Sequence, residues 1–145
     1  MIFLQLEELP MALQYSTAVR DAQLDALETT VGTSAILRIY SGAMPANCAT
    51  AASGTLLAEM TLPSDWMAAA SGGTKAKSGT WSDASANAAG TAGYYRILDS
   101  TGTTCHVQGT VTLTSGGGDM ELDNTNIAVG QTITVNTYTL TAGNA

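Results

Sequence analysis

Basic residues are scarce in this sequence. Five of the 145 residues are Lys or Arg, twelve are Asp or Glu, and the formal net charge is −7. Nonspecific affinity for nucleic acid comes from Lys and Arg that displace counterions from phosphates. The basic residues are scattered, with Lys75 and Lys77 as their one local pair. We therefore expect no nucleic-acid partner.

Cysteine and histidine are also rare. Cys48 and Cys105 are far apart in the chain and lack the ligand spacing of a zinc site. We expect two buried free thiols; a disulfide between them is the alternative, which an oxidising compartment would favour.

His106 is the one histidine. It falls on the polar face of a predicted strand with no acidic residue in local register, which predicts a solvated side chain rather than a catalytic base.

Long apolar runs are missing as well. No run reaches the roughly 20 apolar residues of a membrane span, so we expect no membrane partner. The opening segment is apolar, but it has no basic leader and carries Glu7 and Glu8, which is not typical of a secretion signal. Residues 116–118 are three glycines without the Lys and Ser or Thr of a phosphate loop. No catalytic constellation or cofactor motif is visible, and we expect a non-enzymatic protein.

Residues 1–10 form a predicted apolar arm ahead of a single domain at 11–145, where Met11 is a plausible second start. A terminal segment stays ordered only where it packs on something. We expect the arm to pack on its own domain or, as the alternative, on a neighbouring subunit. Its candidate contact residues are Ile2, Phe3, Leu4, Leu6 and Leu9.

A β-hairpin over residues 90–114 is the strongest pattern in the chain. Two stretches rich in aromatic and β-branched residues, 94–98 and 105–113, flank the polar turn 99–102. The second stretch alternates, which predicts one apolar face and one polar face. The residues expected on the apolar face are Cys105, Val107, Gly109, Val111 and Leu113.

One amphipathic helix is predicted near residues 16–32, with Ser16 or Thr17 at its start and Gly32 at its end. Its predicted apolar stripe is narrow and rich in Ala, with the charged residues off the stripe. We expect this stripe to lie against a sheet or a partner. The stripe comprises Val19, Ala22, Ala26 (or Gln23) and Leu27, and the charged residues are Arg20, Asp21, Asp25 and Glu28.

The remaining strands are predicted at 34–40, 55–62, within 75–82, and at 131–141. The last of these changes its apolar phase near Asn136, which indicates a bulge or a strand that leaves one sheet for another. Several short strands with one helix predict a mainly β fold. We expect an antiparallel β-sandwich, of which a jelly roll is one form, with one N-terminal helix.

Two further features have alternative interpretations. Trp66 follows the break at Pro63 and either caps one end of the sandwich, which we favour, or serves as an exposed partner contact.

Asp119, Glu121 and Asp123 alternate along the chain and predict the polar face of an edge strand. Calcium binding is the alternative, although no EF-hand-type loop follows.

Several short motifs are similar to those of small virion proteins from tailed bacteriophages and prophages. They are L-R-I-Y-S-G at 37–42, G-T-L-L at 54–57, L-P-S-D-W at 62–66, G-T-W at 79–81 and G-T-A-G-Y-Y-R-I at 90–97. Within that group the chain most resembles capsid cement or decoration proteins. The resemblance spans residues 11–145 and implies a β-sandwich homo-oligomer that binds the major capsid protein on the capsid exterior of a virion made in the bacterial cytoplasm.

The sequence and the resemblance together lead us to expect a capsid cement protein that stabilises capsomer boundaries. A tail or fibre component is one alternative, because it would share this composition and fold class. A carbohydrate-binding module is the other. It would use Trp66, Trp81 or the pair Tyr94 and Tyr95 as a stacking platform for sugar rings.

Overall fold

A computed structural model describes residues 12–145. This part of the chain is mainly β with one helix, near its start, which confirms the predicted fold class. The predicted arm 1–10, with Ile2, Phe3, Leu4, Leu6 and Leu9, lies outside the described residues. The elements are α1 (Thr17–Val31), β1 (Ile36–Ser41), β2 (Leu56–Thr61), β3 (Thr74–Ala76), β4 (Ser82–Asp83), β5 (Gly90–Leu98), β6 (Cys105–Leu113), β7 (Met120–Leu122), β8 (Asn126–Ile127), β9 (Ile133–Thr134) and β10 (Thr139–Thr141).

One sheet organises the structure, in the strand order β2-β1-β5-β6-β7, with β8 paired to the start of β5. The pairs among β2, β1, β5 and β6 are antiparallel, whereas β7 runs parallel to β6 at the edge. The predicted alternation in β1 is confirmed, since Leu37 and Ile39 are fully buried on the inner face. No helix within residues 12–145 is long and apolar enough to cross a bilayer.

The hairpin of β5 and β6 is confirmed. The predicted apolar face of β6 is wrong at both ends of the strand. Ile97 pairs with Val107 while Leu98 pairs with Cys105, so β6 has an extra residue at this point. Such a bulge reverses the side-chain alternation. Cys105 therefore lies on the outer face with Leu98. At the other end of the strand Leu113 is 51% exposed, although it was expected on the apolar face.

A second layer covers the inner face of the main sheet. It consists of two short antiparallel ladders, β3 with β10 and β4 with β9. The segment from β9 to β10 leaves one ladder and enters the other, which confirms the strand change predicted near Asn136. Two such ladders do not establish the eight strands of a jelly roll, and that finer form is not confirmed.

Aromatic side chains join the two layers. The ring centroids of Trp66 and Trp81 are 6.0 Å apart. The ring centroids of Trp81 and Tyr138 are 5.2 Å apart. The Tyr138 hydroxyl is 2.9 Å from the Tyr95 hydroxyl of β5. Burial raises the pKa of Tyr95 to about 12, so this pair stays neutral and can share a hydrogen bond in the core.

The outer face of the main sheet is not left to solvent. The segment that follows β1, residues 42–54, folds back over it, and we call this segment the cover loop. Arg96 donates from Nη2 to the carbonyls of Asn47 and Thr50, at 3.2 and 2.7 Å. Gln108 donates to the Pro45 carbonyl at 2.8 Å. The face of β6 that was predicted to be polar and wet is therefore partly covered here.

Gly93 is a sensitive point between sheet and cover loop. A Cβ atom added at Gly93 would lie 2.1 Å from the Gly42 carbonyl oxygen, which is backbone and cannot rotate away. We predict that Gly93→Ala lowers the free energy of unfolding by about 2 kcal/mol through this overlap. Gly143→Ala is the matched control, because nothing lies within 4 Å of its added Cβ. Urea unfolding measures both, and equal stabilities would contradict the close approach.

Candidate functional site

The helix docks on the domain through its charged side. Ser16 caps its start by accepting from the Val19 amide, and Gly32 ends it at a φ of 90°. Asp21 accepts a hydrogen bond from the Gly73 amide at 2.7 Å, and Asp25 accepts one from the Ala70 amide at 3.0 Å. These contacts attach α1 to the segment 66–73 that leads into β3.

The same side of the helix carries Glu28, which accepts from the Met67 amide at 3.1 Å. Just beyond the helix, the Trp66 indole donates to the Gly32 carbonyl at 2.9 Å. Residues 21, 25 and 28 follow one another at helical spacing, so their carboxylates form one row along α1. Each carboxylate satisfies a backbone donor of a segment that has few strand partners of its own.

Lys75 is the centre of this contact. Its side chain is 2% exposed, and its Nζ lies 2.6 Å from Asp25 and 2.9 Å from Glu28. Burial disfavours the ammonium ion, but the hydrogen bonds that it donates to the two carboxylates outweigh this effect and raise the pKa of Lys75. A buried charge is tolerated only when it is paired and hydrogen-bonded. Lys75 therefore fixes which side of α1 faces the domain.

Of the predicted apolar stripe, Leu27 packs against the core, whereas the other members point away from the domain. Val19 is 44% exposed, and Ala22 and Ala26 are exposed beside it. Leu13, just before the helix, is 65% exposed. The residues of α1 that are buried are Leu24 and Val31. We call Leu13, Val19, Ala22 and Ala26 the outer helix surface.

His106 lies near one end of this surface. It is half-buried and lines a shallow depression with Ala26, Leu27, Thr30 and Val31 of the helix. The interpretation of His106 as a solvated side chain is therefore only partly correct. No carboxylate lines this depression in the described part of the chain, so a catalytic pair with His106 is not formed there.

Trp66 is fully buried, and its indole belongs to the core of the domain. It caps the contact between α1 and the second layer, which agrees with the favoured interpretation and removes it from the exposed partner contacts. Trp81, Tyr94 and Tyr95 are also buried, with 0 to 2% of each residue exposed. None of these rings offers a free face on which a sugar could stack.

The alternating acids of the edge strand do not converge on a cation. Asp119 accepts from the Thr110 amide, Glu121 from the amides of Ser115 and Gly117, and Asp123 from Asn136. Across residues 12–145 no group of three or more His, Cys, Asp or Glu is arranged to hold a metal ion. The carboxylates are used instead to order the turn between β6 and β7.

Lys75→Met should loosen the helix. It removes the ammonium ion and leaves the carboxylates of Asp25 and Glu28 without their shared partner, which we expect to cost about 2 kcal/mol of unfolding free energy. Lys77→Met is the control, since Lys77 donates to the Gly79 carbonyl and forms no ion pair in residues 12–145. Urea unfolding compares the two variants. The central role of Lys75 is refuted if both lose the same stability.

The helix contact should also depend on pH. The hydrogen bonds from Lys75 and from the Ala70 amide hold the pKa of Asp25 below its ordinary value of 3.8. The folded state thus prefers the ionised carboxylate. Its stabilising effect is present above pH 3.8 and is lost as the pH falls through the lower folded-state pKa.

We therefore expect Asp25→Asn to lower the melting temperature near neutral pH, with the difference from the wild type shrinking as the pH falls below 3.8. Asp65→Asn serves as control, because Asp65 is exposed and its carboxylate has no hydrogen bond within residues 12–145. Melting curves over this pH range provide the measurement. A difference that is the same at every pH would mean that the charge of Asp25 does not matter.

Comparison with protein-family models, curated proteins and solved structures finds no match for this chain.

Proposed function

We propose that this chain is a non-enzymatic capsid cement or decoration protein of a tailed bacteriophage, which binds the outside of the shell and stabilises capsomer boundaries. Its partners in this proposal are the major capsid protein and further copies of itself. The motifs that resemble such virion proteins are the basis for the class of particle. The surface of the helix supports a binding role in particular.

The outer helix surface is the observation that carries the proposal. A surface helix normally turns its apolar stripe toward its own domain and its charged side toward water. In α1 the inward side combines the buried Leu24 and Val31 with the hydrogen-bonding carboxylates of Asp21, Asp25 and Glu28. A second apolar strip, which includes Val19, Ala22 and Ala26, is left on the outside. Contiguous exposed apolar surface on a soluble domain is typical of a protein–protein contact.

A cement protein needs no catalytic group. It stabilises a shell by mass action, since a ligand that binds the assembled state and not the separated subunits shifts the equilibrium toward assembly. The low content of charged residues, 12% of the chain, suits a protein that loses much of its surface to neighbours. In this proposal the apolar residues Ile2, Phe3, Leu4, Leu6 and Leu9 are further candidate partner contacts.

The alternatives differ in how well they agree with the burial of side chains. A carbohydrate-binding module would need an exposed aromatic platform, and its candidate rings are in the core. A tail or fibre component would use the same kind of apolar surface, and its distinction from a cement protein is one of location. Location on the particle is therefore the decisive measurement.

Cryo-electron reconstruction of the particle that carries this chain is the first experiment. Density on the capsid exterior across capsomer boundaries, with α1 at the contact, is the expected result. Shells without the protein should also open at lower temperature than complete shells. Density on the tail alone, or shells that resist heat equally well with and without the protein, would refute the cement proposal.

Ala22→Glu tests the surface itself. It places a charge at the centre of the outer helix surface, which we expect to weaken rebinding to stripped shells by about tenfold or more, while leaving the melting temperature nearly unchanged. Thr91→Glu adds the same charge at an exposed site at the opposite end of β5 from Leu98, and its affinity should stay near that of the wild type. Co-sedimentation with shells measures both. Equal binding by the two variants would exclude α1 from the contact.

A further inference from the structure

We infer that Cys48 and Cys105 form an intramolecular disulfide site that fastens the cover loop to the main sheet. The inference is independent of the proposed function, because it depends only on the contact between the loop and the outer face of β5 and β6.

Folding brings the two cysteines together from 57 positions apart in the chain. Both are free and half-buried, and both line the same small cavity beneath the cover loop. Cys48 is near enough to the Cys105 thiol to raise the pKa of that thiol. Two cysteines can be bridged where their Cα atoms lie within about 7 Å of each other. The shared cavity brings these two residues into the same neighbourhood.

The bulge in β6 places Cys105 on the same face of the main sheet as Cys48. With regular alternation from Val107, Cys105 would point toward the core, on the side opposite to the cover loop. The shift between Ile97 and Leu98 puts Cys105 on the outer face instead. The cover loop is held over that face by Arg96 and Gln108, so the position of Cys48 is also fixed.

The environment of Cys105 bears on the order in which the two thiols would react with a disulfide oxidant. Burial, followed by the contact with Cys48, raises the pKa of the Cys105 thiol to about 12, while the nearby Arg96 acts in the opposite direction. Burial thus disfavours the Cys105 thiolate. Cys48 comes from an irregular loop and is the thiol that we expect to react first.

The reaction needs an oxidant, for which a small-molecule disulfide suffices. The Cys48 thiolate attacks one sulfur of oxidised glutathione, forms a mixed disulfide and releases one glutathione. The Cys105 sulfur, after losing its proton to solvent, then attacks the Cys48 sulfur and releases the second glutathione. The protein loses two electrons and two protons, and the glutathione disulfide is reduced to two thiols.

The test is oxidation of the full chain with oxidised glutathione in mildly alkaline buffer. We expect a monomer that has lost the mass of two hydrogens and has no free thiol on denaturation. After trypsin digestion without reductant, the peptides 39–75 and 97–145 should appear as one linked species, because cleavage follows Arg38, Lys75 and Arg96. A cross-link that closes so long a loop should raise the melting temperature by about 10 °C.

Cys48→Ser and Cys105→Ser are the matched controls. Each keeps one thiol and can form only the mixed disulfide with glutathione, so neither should gain the rise in melting temperature. The inference is overturned if the oxidised wild type retains two free thiols, stops at the mixed disulfide, or links two chains instead of two segments of one chain. It is equally overturned if either Ser variant is stabilised as much as the wild type.

Discussion

The buried ammonium group of Lys75 is the constraint on which the orientation of the helix depends. Its 2%-exposed side chain needs counter-charges inside the domain, and Asp25 and Glu28 supply them from α1. Once these two carboxylates are turned inward, the geometry of the helix puts Val19 and Ala22 on the outside. The apolar outer surface is therefore a consequence of an electrostatic contact, and the proposed binding role follows from that contact.

A second polar contact sets the other side of the molecule. Arg96 is 4% exposed and donates to two carbonyls of the cover loop and to Gln108, with no carboxylate partner among residues 12–145. This binding of backbone oxygens holds a loop with no strand of its own against the outer face of the sheet. The position of Cys48 in the same cavity as Cys105 depends on it. Two buried cations, Lys75 and Arg96, thus position the helix and the loop.

The distribution of aromatic and aliphatic side chains separates stability from binding. Trp66, Trp81, Tyr95 and Tyr138 pack between the two layers, where their rings and polar atoms are all partnered inside the domain. The four side chains of the outer helix surface, Leu13, Val19, Ala22 and Ala26, are small or aliphatic. Such a surface suits contact with another protein subunit, and it has no flat ring on which a sugar would stack.

The sequence by itself determined the local elements: the limits of α1 at Ser16 and Gly32, the hairpin of β5 and β6, and the strand change near Asn136. These follow from capping, turn chemistry and alternation, which act over a few residues. The tertiary structure alone decided that Asp21, Asp25 and Glu28 of α1 contact the domain. It also decided that Cys105 lies on the outer face of the main sheet. The physical reason is that a buried Lys75, 50 positions from Asp25, and a one-residue bulge change the environment of a side chain without changing the local pattern.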